Sequence, residues 1–344
     1  MTVTRSWQGQ GSGSGQGHGE GLAHGDAGST GVRVTGPAGG DVRVALLAEA
    51  QATAERAARA ADVTIVELTD VRQMDEACEL LDRVWRPDPG DPLITPKLMK
   101  VLSHCGSYVV GVMRGDRMVG VCVGFLADIG LHSHIAGVDD DLRGRSLGYA
   151  VKLHQRAWSL ARGIDTVTWT FDPLISRNAY FNLAKLGAVP DEYLADFYGA
   201  MHDEVNAGTE TDRLLVRWDL ASAHVVRALT DGAFVPAVDG GVVALDTAAD
   251  GRPVAGPVAR VAGPVAGDSG PVAGGAGGAE GAERLLVGVP RDAEALRRTG
   301  PDAARQWREA LREVLGGLME QGATVTGFTR DGWYVVERGR ENKS

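Results

Sequence analysis

Val138-Asp139-Asp140-Asp141-Leu142-Arg143-Gly144-Arg145-Ser146-Leu147-Gly148-Tyr149 is the stretch on which the reading of this chain turns. The run Leu131–Val138 before it predicts a strand. After it, Leu147, Ala150, Val151, His154, Ala157, Trp158 and Ala161 fall on one face of a helix. A strand turning into a helix in this way offers the backbone N–H groups of Arg145, Ser146, Leu147 and Gly148 at a helix N-terminus, where the dipole favours an anion. Small residues at Ser146 and Gly148 let phosphates approach the backbone closely. The stretch is therefore read as a pyrophosphate cradle. The competing reading is a strand-to-helix turn that needs small residues only for tightness.

Working outward, Val63–Leu68 alternates like a strand, and Asp70 caps a helix to Trp85 with Met74, Ala77, Cys78, Leu81 and Val84 in period. Thr95 starts a short helix with Pro96 at its first position. Tyr108–Met113 and Met118–Leu126 form a hairpin around Arg114-Gly115-Asp116-Arg117. Beyond the central helix, Gly163 is a stop, Thr166–Thr170 a strand, 178–186 a short helix ended by Gly187, and Leu214–Leu220 another strand. Strand, two helices, three antiparallel strands, helix, strand, helix, strand is an α+β plan around one central sheet.

The 344 residues, 44% hydrophobic, suffice for two domains. Residues 1–41 read as a disordered Gly/Ser-rich tail, 42–61 as an Ala-rich helical arm and 62–221 as the first domain. Residues 222–336 read as a smaller C-terminal α/β unit, with strands at Arg284–Val289, Thr324–Phe328 and Tyr334–Val336 and a helix around Asp302–Gln321; 337–344 is a polar tail. Within that unit, residues 250–283 repeat Pro-Val-Ala-Gly words, and Pro and Gly this dense argue against helix and sheet alike, so a linker or surface insertion is expected.

The net charge of −10 argues against a nucleic-acid binder. No apolar h-region and no run approaching the ~18 apolar residues of a membrane span is present, so neither a leader nor a membrane partner is expected. Three widely spaced cysteines fit reduced thiols, and a cytoplasmic location is expected. No Cys pair, His-x-x-x-His or carboxylate ladder has metal-ligand spacing, and no Gly-x-Ser-x-Gly elbow occurs, so neither a metal nor a serine hydrolase is expected.

The spacing Val138, Arg143, Gly148 resembles the acyl-CoA loop of the GNAT acyltransferase superfamily, with Ser146 where the first glycine is usual. Lys185-Leu186-Gly187-Ala188 resembles the end of that family's second CoA-side helix. Trp169-Thr170-Phe171-Asp172-Pro173-Leu174, Arg177-Asn178-Ala179, Phe197-Tyr198-Gly199-Ala200-Met201 and Asp212–Trp218 are similar to a less-studied branch of it, over roughly Val63 to Val336. The resemblance implies a GNAT-like mixed sheet flanked by helices. It also implies acetyl-CoA or another acyl-CoA as co-substrate and N-acyl transfer to a small-molecule amine by direct transfer in a ternary complex. Val138, Arg143, Gly144, Arg145, Ser146, Leu147, Gly148 and Tyr149 would hold the CoA pyrophosphate, and Asn178 and Asn182 would contact the pantetheine amide or pyrophosphate.

Such a transfer needs a group to take the ammonium proton, donors for the thioester oxygen and an acid for the thiolate. The tyrosine that the family uses as acid would fall at Leu183, which cannot donate a proton. Tyr180 is the nearest substitute, with Tyr193 and Tyr198 as alternatives, each equally readable as a core residue. His134, two residues from His132 on a strand and so on the same face, is a candidate base or a structural residue. Asp172, just past a strand end, either holds a cationic acceptor or caps the turn that follows. The missing tyrosine motivates the alternatives: a non-catalytic acyl-CoA-binding scaffold, or another CoA thioester reaction on the same fold.

Overall fold

The computed structural model describes residues 37–88, 90–142, 144, 146–199, 210–256 and 284–338. The chain divides into Met1–Val42 and Arg43–Ser344, and the second unit contains both β-sheets. The larger sheet has seven strands: β1 (Thr64–Glu67), β2 (Val109–Arg114), β3 (Arg117–Ala127), β4 (Gly130–Val138), β5 (Thr166–Phe171), β6 (Val189–Leu194) and β7 (Arg213–Asp219). They lie in the order β1-β2-β3-β4-β5-β7-β6. Only β4 and β5 pair in parallel, because the chain between them crosses over as a helix instead of turning tightly.

Helix α1 (Pro37–Ala60) crosses from one unit into the other. Helices α2 (Val71–Trp85), α3 (Pro96–His104) and α4 (Leu147–Ala161) belong to the second. Asp70 caps α2 by accepting the N–H of Arg72, with Gln73 completing a capping box, and Thr95 caps α3 ahead of Pro96. The segment read as an Ala-rich helical arm is α1, and from Arg43 on it packs against α4. Ala50 and Ala54 are buried, and Arg156 of α4 donates to Glu49 at 2.7 Å.

After β5 comes α5 (Ser176–Ala179), which runs directly into a π-helical turn, Tyr180–Lys185; Gly187 follows with φ +68. β6 was not evident in the sequence: Val189-Pro190-Asp191-Glu192-Tyr193-Leu194 carries a proline and two acids. Those residues suit an edge strand, which need not offer every N–H or bury both faces.

The rest of the chain adds α6 (Ala223–Thr230) and a five-stranded sheet built from β8 (Val242–Thr247), β9 (Pro253–Ala255), β10 (Arg284–Gly288), β11 (Thr324–Phe328) and β12 (Trp333–Glu337). Its order is β11-β12-β10-β8-β9, with α7 (Ala293–Thr299) and α8 (Pro301–Leu311) following β10. β9 corrects the expectation that 250–283 excludes sheet. Pro253 begins a short edge strand paired to Thr247 of β8, a position that asks little of the missing N–H. Residues 257–283 and 1–36 lie outside the described residues, as do the tail calls placed on them.

The result is the α+β plan expected, a large mixed sheet flanked by helices, with a second, smaller sheet. One apolar cluster runs through both sheets, from Val110 and Leu131 through Trp218 to Trp307 and Tyr334, and another, around Leu68, Met74, Leu81 and Val121, packs α2 and α3 on the larger sheet. Among the described residues no helix is long and apolar enough to cross a membrane.

Candidate functional site

The β4–β5 pairing is two residues long. Leu131 faces Val167 and His132 faces Thr168, and beyond them the strands part. One cavity is lined by both strands of this fork and another by Val138 at the end of β4 and the start of α4, with Phe181 in the wall of both.

The first cavity, about 760 Å³, lies against the start of α4. Ser146 stands at the N-cap in the left-handed region, φ 61 and ψ 16, with no side-chain cap bond. The first helical bond runs from the Ala150 N–H to the Ser146 carbonyl, 3.0 Å. The N–H groups of Leu147, Gly148 and Tyr149 precede it and have no helical acceptor. A Cβ at Gly148 would meet nothing within 4 Å, nor would one at Gly144, whose φ is +82. Val138, Gly144, Ser146, Leu147, Gly148 and Tyr149, all expected to hold the pyrophosphate, line this cavity. Arg143 and Arg145 lie outside the described residues. Opposite them stand Arg177, Tyr180, Lys185 and Arg330, so the charged lining among the described residues is wholly cationic in a chain of net charge −10. Uncapped first-turn donors, open space at Gly148 and a cationic wall fit a polyphosphate.

The second cavity, about 480 Å³, fills the open side of the fork. β4 contributes Ser133, His134, Ile135 and Ala136, and β5 contributes Trp169, Thr170 and Phe171; Asn178, Asn182, Tyr198 and Arg213 complete much of the rest. His134 is the extra residue of a bulge, since Val123 faces Ile135 while Gly124 faces Ser133. Its ring centroid lies 5.6 Å from that of Phe125 and 6.4 Å from that of His132. Burial lowers the pKa of both imidazoles, with His134 and Lys152 adding to the effect on His132. His132 is bonded to the Thr168 hydroxyl at 3.0 Å and is not part of the cavity wall. Asn178 and Asn182, expected near the cofactor, lie in this cavity. The Asn182 carbonyl accepts from the Trp169 indole N–H at 3.1 Å.

The three candidate catalytic residues are not brought together. His134 lines the fork cavity, Tyr180 lines the cationic one and Asp172 lines neither. The Tyr180 hydroxyl accepts from Arg330 at 3.3 Å. Asp172 takes both Nη atoms of Arg308, at 2.7 and 2.8 Å, together with Arg297 and the Leu174 N–H. Burial alone would raise its carboxyl pKa; the guanidiniums and the N–H outweigh that and hold it well below the usual range. Asp172 therefore has no oxygen turned to an acceptor. Of the other tyrosines, Tyr193 donates to Asp212 at 2.7 Å, whereas Tyr198 lines the fork cavity with its hydroxyl 3.4 Å from that of Thr170. Leu183 is buried.

Lys152 of α4 is the residue the sequence reading passed over. Its Nζ lies in the fork cavity wall, donating to the Ser133 hydroxyl at 3.1 Å and the Gln155 carbonyl at 3.0 Å, and sits 3.7 Å from the centre of the Trp169 ring. No carboxylate pairs with it among the described residues, and burial pushes its ammonium down to about 8. The signal that could have found it is the stripe Lys152, Gln155, Arg156, Ser159, at helical spacing. A polar stripe reads as a solvated face, but this one is buried. No group of three or more His, Cys, Asp or Glu able to hold a metal occurs among the described residues.

No family model matches the sequence, and no curated protein does. Among solved structures, the ribosomal-protein-S18-alanine N-acetyltransferase of Escherichia coli is 14% identical with a TM-score of 0.39, covering 47% of this chain and 96% of its own. An acetyltransferase of the GNAT family from Streptococcus pneumoniae is 15% identical with a TM-score of 0.37, covering 45% and 98%. The yncA protein of Salmonella typhimurium, solved with its cofactor acetyl-CoA, is 12% identical with a TM-score of 0.38, covering 46% and 94%.

Proposed function

We propose that the protein is an acyl-CoA-dependent N-acyltransferase, acetyl-CoA being the first donor to test, that acylates a small-molecule amine by direct transfer. The observation that carries this reading is the fork: β4 and β5 part after two paired residues, with a mixed polar and aromatic cavity lined by both strands and a cationic, donor-rich one at the end of β4 and the start of α4. The N–H groups of Leu147, Gly148 and Tyr149, with Lys185, Arg177 and Arg330, would hold the pyrophosphate; Val138, Gly144 and Ser146 shape the space, and Arg143 and Arg145 are carried from the sequence. Asn178 and Asn182 lie where an amide-bearing arm passing the fork would meet side-chain donors and acceptors.

The bound thioester supplies an activated acyl carbon. The chain's own residues have to place the amine against it and move two protons. His134, with its imidazole kept neutral by burial, stands in the wall of the acceptor cavity. Tyr198 is better placed than Tyr180 to protonate the leaving sulfur, because Tyr180 lies at the phosphate end beside Arg330. Asp172 holds the segment after β5 in place and does not meet the substrate.

One observation favours a non-catalytic acyl-CoA-binding role: Leu183 occupies the position of the usual acid. A single experiment separates the two. Calorimetric titration with CoA and acetyl-CoA is paired with thiol release on a panel of amino acids, amino-acid amides and diamines. Micromolar binding, about −8 kcal/mol, with release on at least one amine supports the transferase. Binding without release favours the module, and no binding removes both.

A further inference from the structure

We infer that Lys152, held by Ser133 and Gln155 at the point where β4 leaves β5, takes the proton from the acceptor's ammonium. The inference rests on the transferase reading above and gives to Lys152 the proton transfer for which the sequence offered His134. Ser133 is the first residue of β4 beyond the last β4–β5 pair, so Lys152 meets the cavity at the apex of the fork.

The surroundings of Nζ suit either protonation state. As an ammonium it donates to the Ser133 hydroxyl and the Gln155 carbonyl and turns its third proton toward the Trp169 face. As an amine it keeps the Gln155 bond, and the Ser133 hydroxyl can rotate to donate to its lone pair. Ser133 remains anchored in both, because the Gln155 amide donates to the same oxygen at 3.1 Å. Cys122, 3.8 Å from the Ser133 oxygen, completes the polar cluster around Nζ; Asp91 also lines the cavity but makes no ion pair with Lys152. A purely structural buried lysine would be expected to have a carboxylate partner; Lys152 has none among the described residues, and it lines a cavity instead. Burial lowers the affinity of Nζ for its proton to a value matched to work near neutral pH.

The step balances. The acceptor's ammonium gives one proton to the Lys152 lone pair; the freed amine nitrogen forms the C–N bond as the thioester C–S bond breaks, and the second proton that this nitrogen sheds in becoming an amide passes to the sulfur, which leaves as the thiol. Lys152 returns its proton to solvent through the cavity mouth.

The test compares wild type with Lys152→Met, Lys152→Arg and His134→Gln, on the panel amine that wild type acetylates fastest, from pH 6 to 10. Acetyl-CoA affinity is measured on each variant by calorimetry. Lys152→Met and Lys152→Arg are expected to lose 100-fold or more in kcat/KM, a loss on the order of 10²–10⁴ being usual for a proton-transfer group, while acetyl-CoA affinity stays within twofold. Arginine keeps the charge and cannot take the proton, so an active Lys152→Arg overturns the assignment. Wild type and His134→Gln should share an ascending limb near pH 8 that both Lys152 variants lack; a limb that disappears only in His134→Gln assigns the role to His134 instead. Independently of turnover, competitive labelling of wild type with trace acetic anhydride, followed peptide by peptide, should show Lys152 titrating near pH 8. A midpoint above 10 overturns the proposal on its own. Wild type that binds acetyl-CoA but releases no thiol overturns the transferase reading and this one together, whereas turnover untouched in Lys152→Met overturns only this one.

Discussion

Arg308 reaches Asp172 across 136 residues of sequence and closes a two-bond ion pair, Nη1 to Oδ1 at 2.7 Å and Nη2 to Oδ2 at 2.8 Å. Asp172 is the residue after β5, so the pair fixes the chain where it leaves the fork. Two further contacts repeat the device: Tyr334 donates to the Pro173 carbonyl at 2.7 Å, and Arg177 is paired with Glu294. The smaller sheet and its helices thus hold the segment that carries Asn178, Phe181 and Asn182 into the two cavities. That gives the C-terminal region a definite task in shaping the site.

Asp172→Asn should therefore destabilise the whole fold. It leaves Arg308 buried without its counter-ion, a loss of roughly 3–5 kcal/mol when one partner of a buried pair is removed. The urea midpoint measures it. The pH dependence has a defined sign. The folded carboxyl lies below its unfolded value of ~3.9, so its contribution is present above that value and is lost as pH falls through the folded one. Below about pH 4 the wild type should converge on the variant; parallel curves would mean that the pair contributes nothing net.

Ser146 holds a left-handed conformation that costs a non-glycine residue roughly 1–2 kcal/mol. Ser146→Gly relieves that cost but adds chain entropy to the unfolded state, so its stability should match wild type or exceed it by at most about 1 kcal/mol. Ser146→Val, β-branched at positive φ, should lose about 1–2 kcal/mol. Thermal melts of the three proteins check the order; Val above Gly would show that the helix begins in some other conformation.

Gly148→Glu tests the cradle without disturbing the core. A Cβ there has open space, so the melting temperature should stay within a degree or two of wild type. The carboxylate would stand at the helix N-terminus where the pyrophosphate is proposed to sit, and CoA affinity should fall at least 100-fold. Unchanged affinity in calorimetry would remove the cradle from the site.

The elements around the fork were legible because each carries a local signal: Asp70 and Thr95 as caps, Gly163 and Gly187 as stops, the alternation of Val63–Leu68, and the turn Arg114–Arg117 between β2 and β3. What escaped were features that depend on partners distant in sequence. β6 and β9 are strands only because β7 and β8 lie beside them, with Pro190 and Pro253 tolerated at a sheet edge. Asp172 reads locally as a turn cap, and it does accept the Leu174 N–H; its larger role depends on Arg308, far along the chain. Lys152 gave no distinguishing signal: a polar stripe on a helix is ordinarily a solvated face, and only the fold shows that α4 is enclosed on that face as well. In the candidate site, spacing along the chain identified the wall of the cationic cavity. It could not identify the fork cavity, which is assembled mainly from β4, β5, α4 and the segment after β5.

The enclosure of Lys152 has a thermodynamic consequence that needs no substrate. In the unfolded chain its ammonium titrates near ~10.4, and in the folded protein at about 8. Between those values the unfolded state binds more protons, so stability should rise with pH across that window. Fully expressed, the shift corresponds to roughly 2–3 kcal/mol, most of it gained by about pH 9.5. The thiols of Cys78 and Cys122, raised by burial, oppose it from about pH 8.5, where the unfolded thiols ionise first, and the buried hydroxyls of Tyr108, Tyr193 and Tyr334 oppose it at higher pH, in wild type and variant alike. Guanidinium unfolding curves at intervals from pH 7 to 9.5 should therefore show the wild-type free energy gaining steadily on that of Lys152→Met as pH rises. Guanidinium screens the surface charges whose titration would otherwise add a slope of its own. Equal slopes in the two proteins would mean that Nζ is solvated in the folded state, and a solvated Lys152 would have neither the depressed proton affinity nor the position at the fork apex.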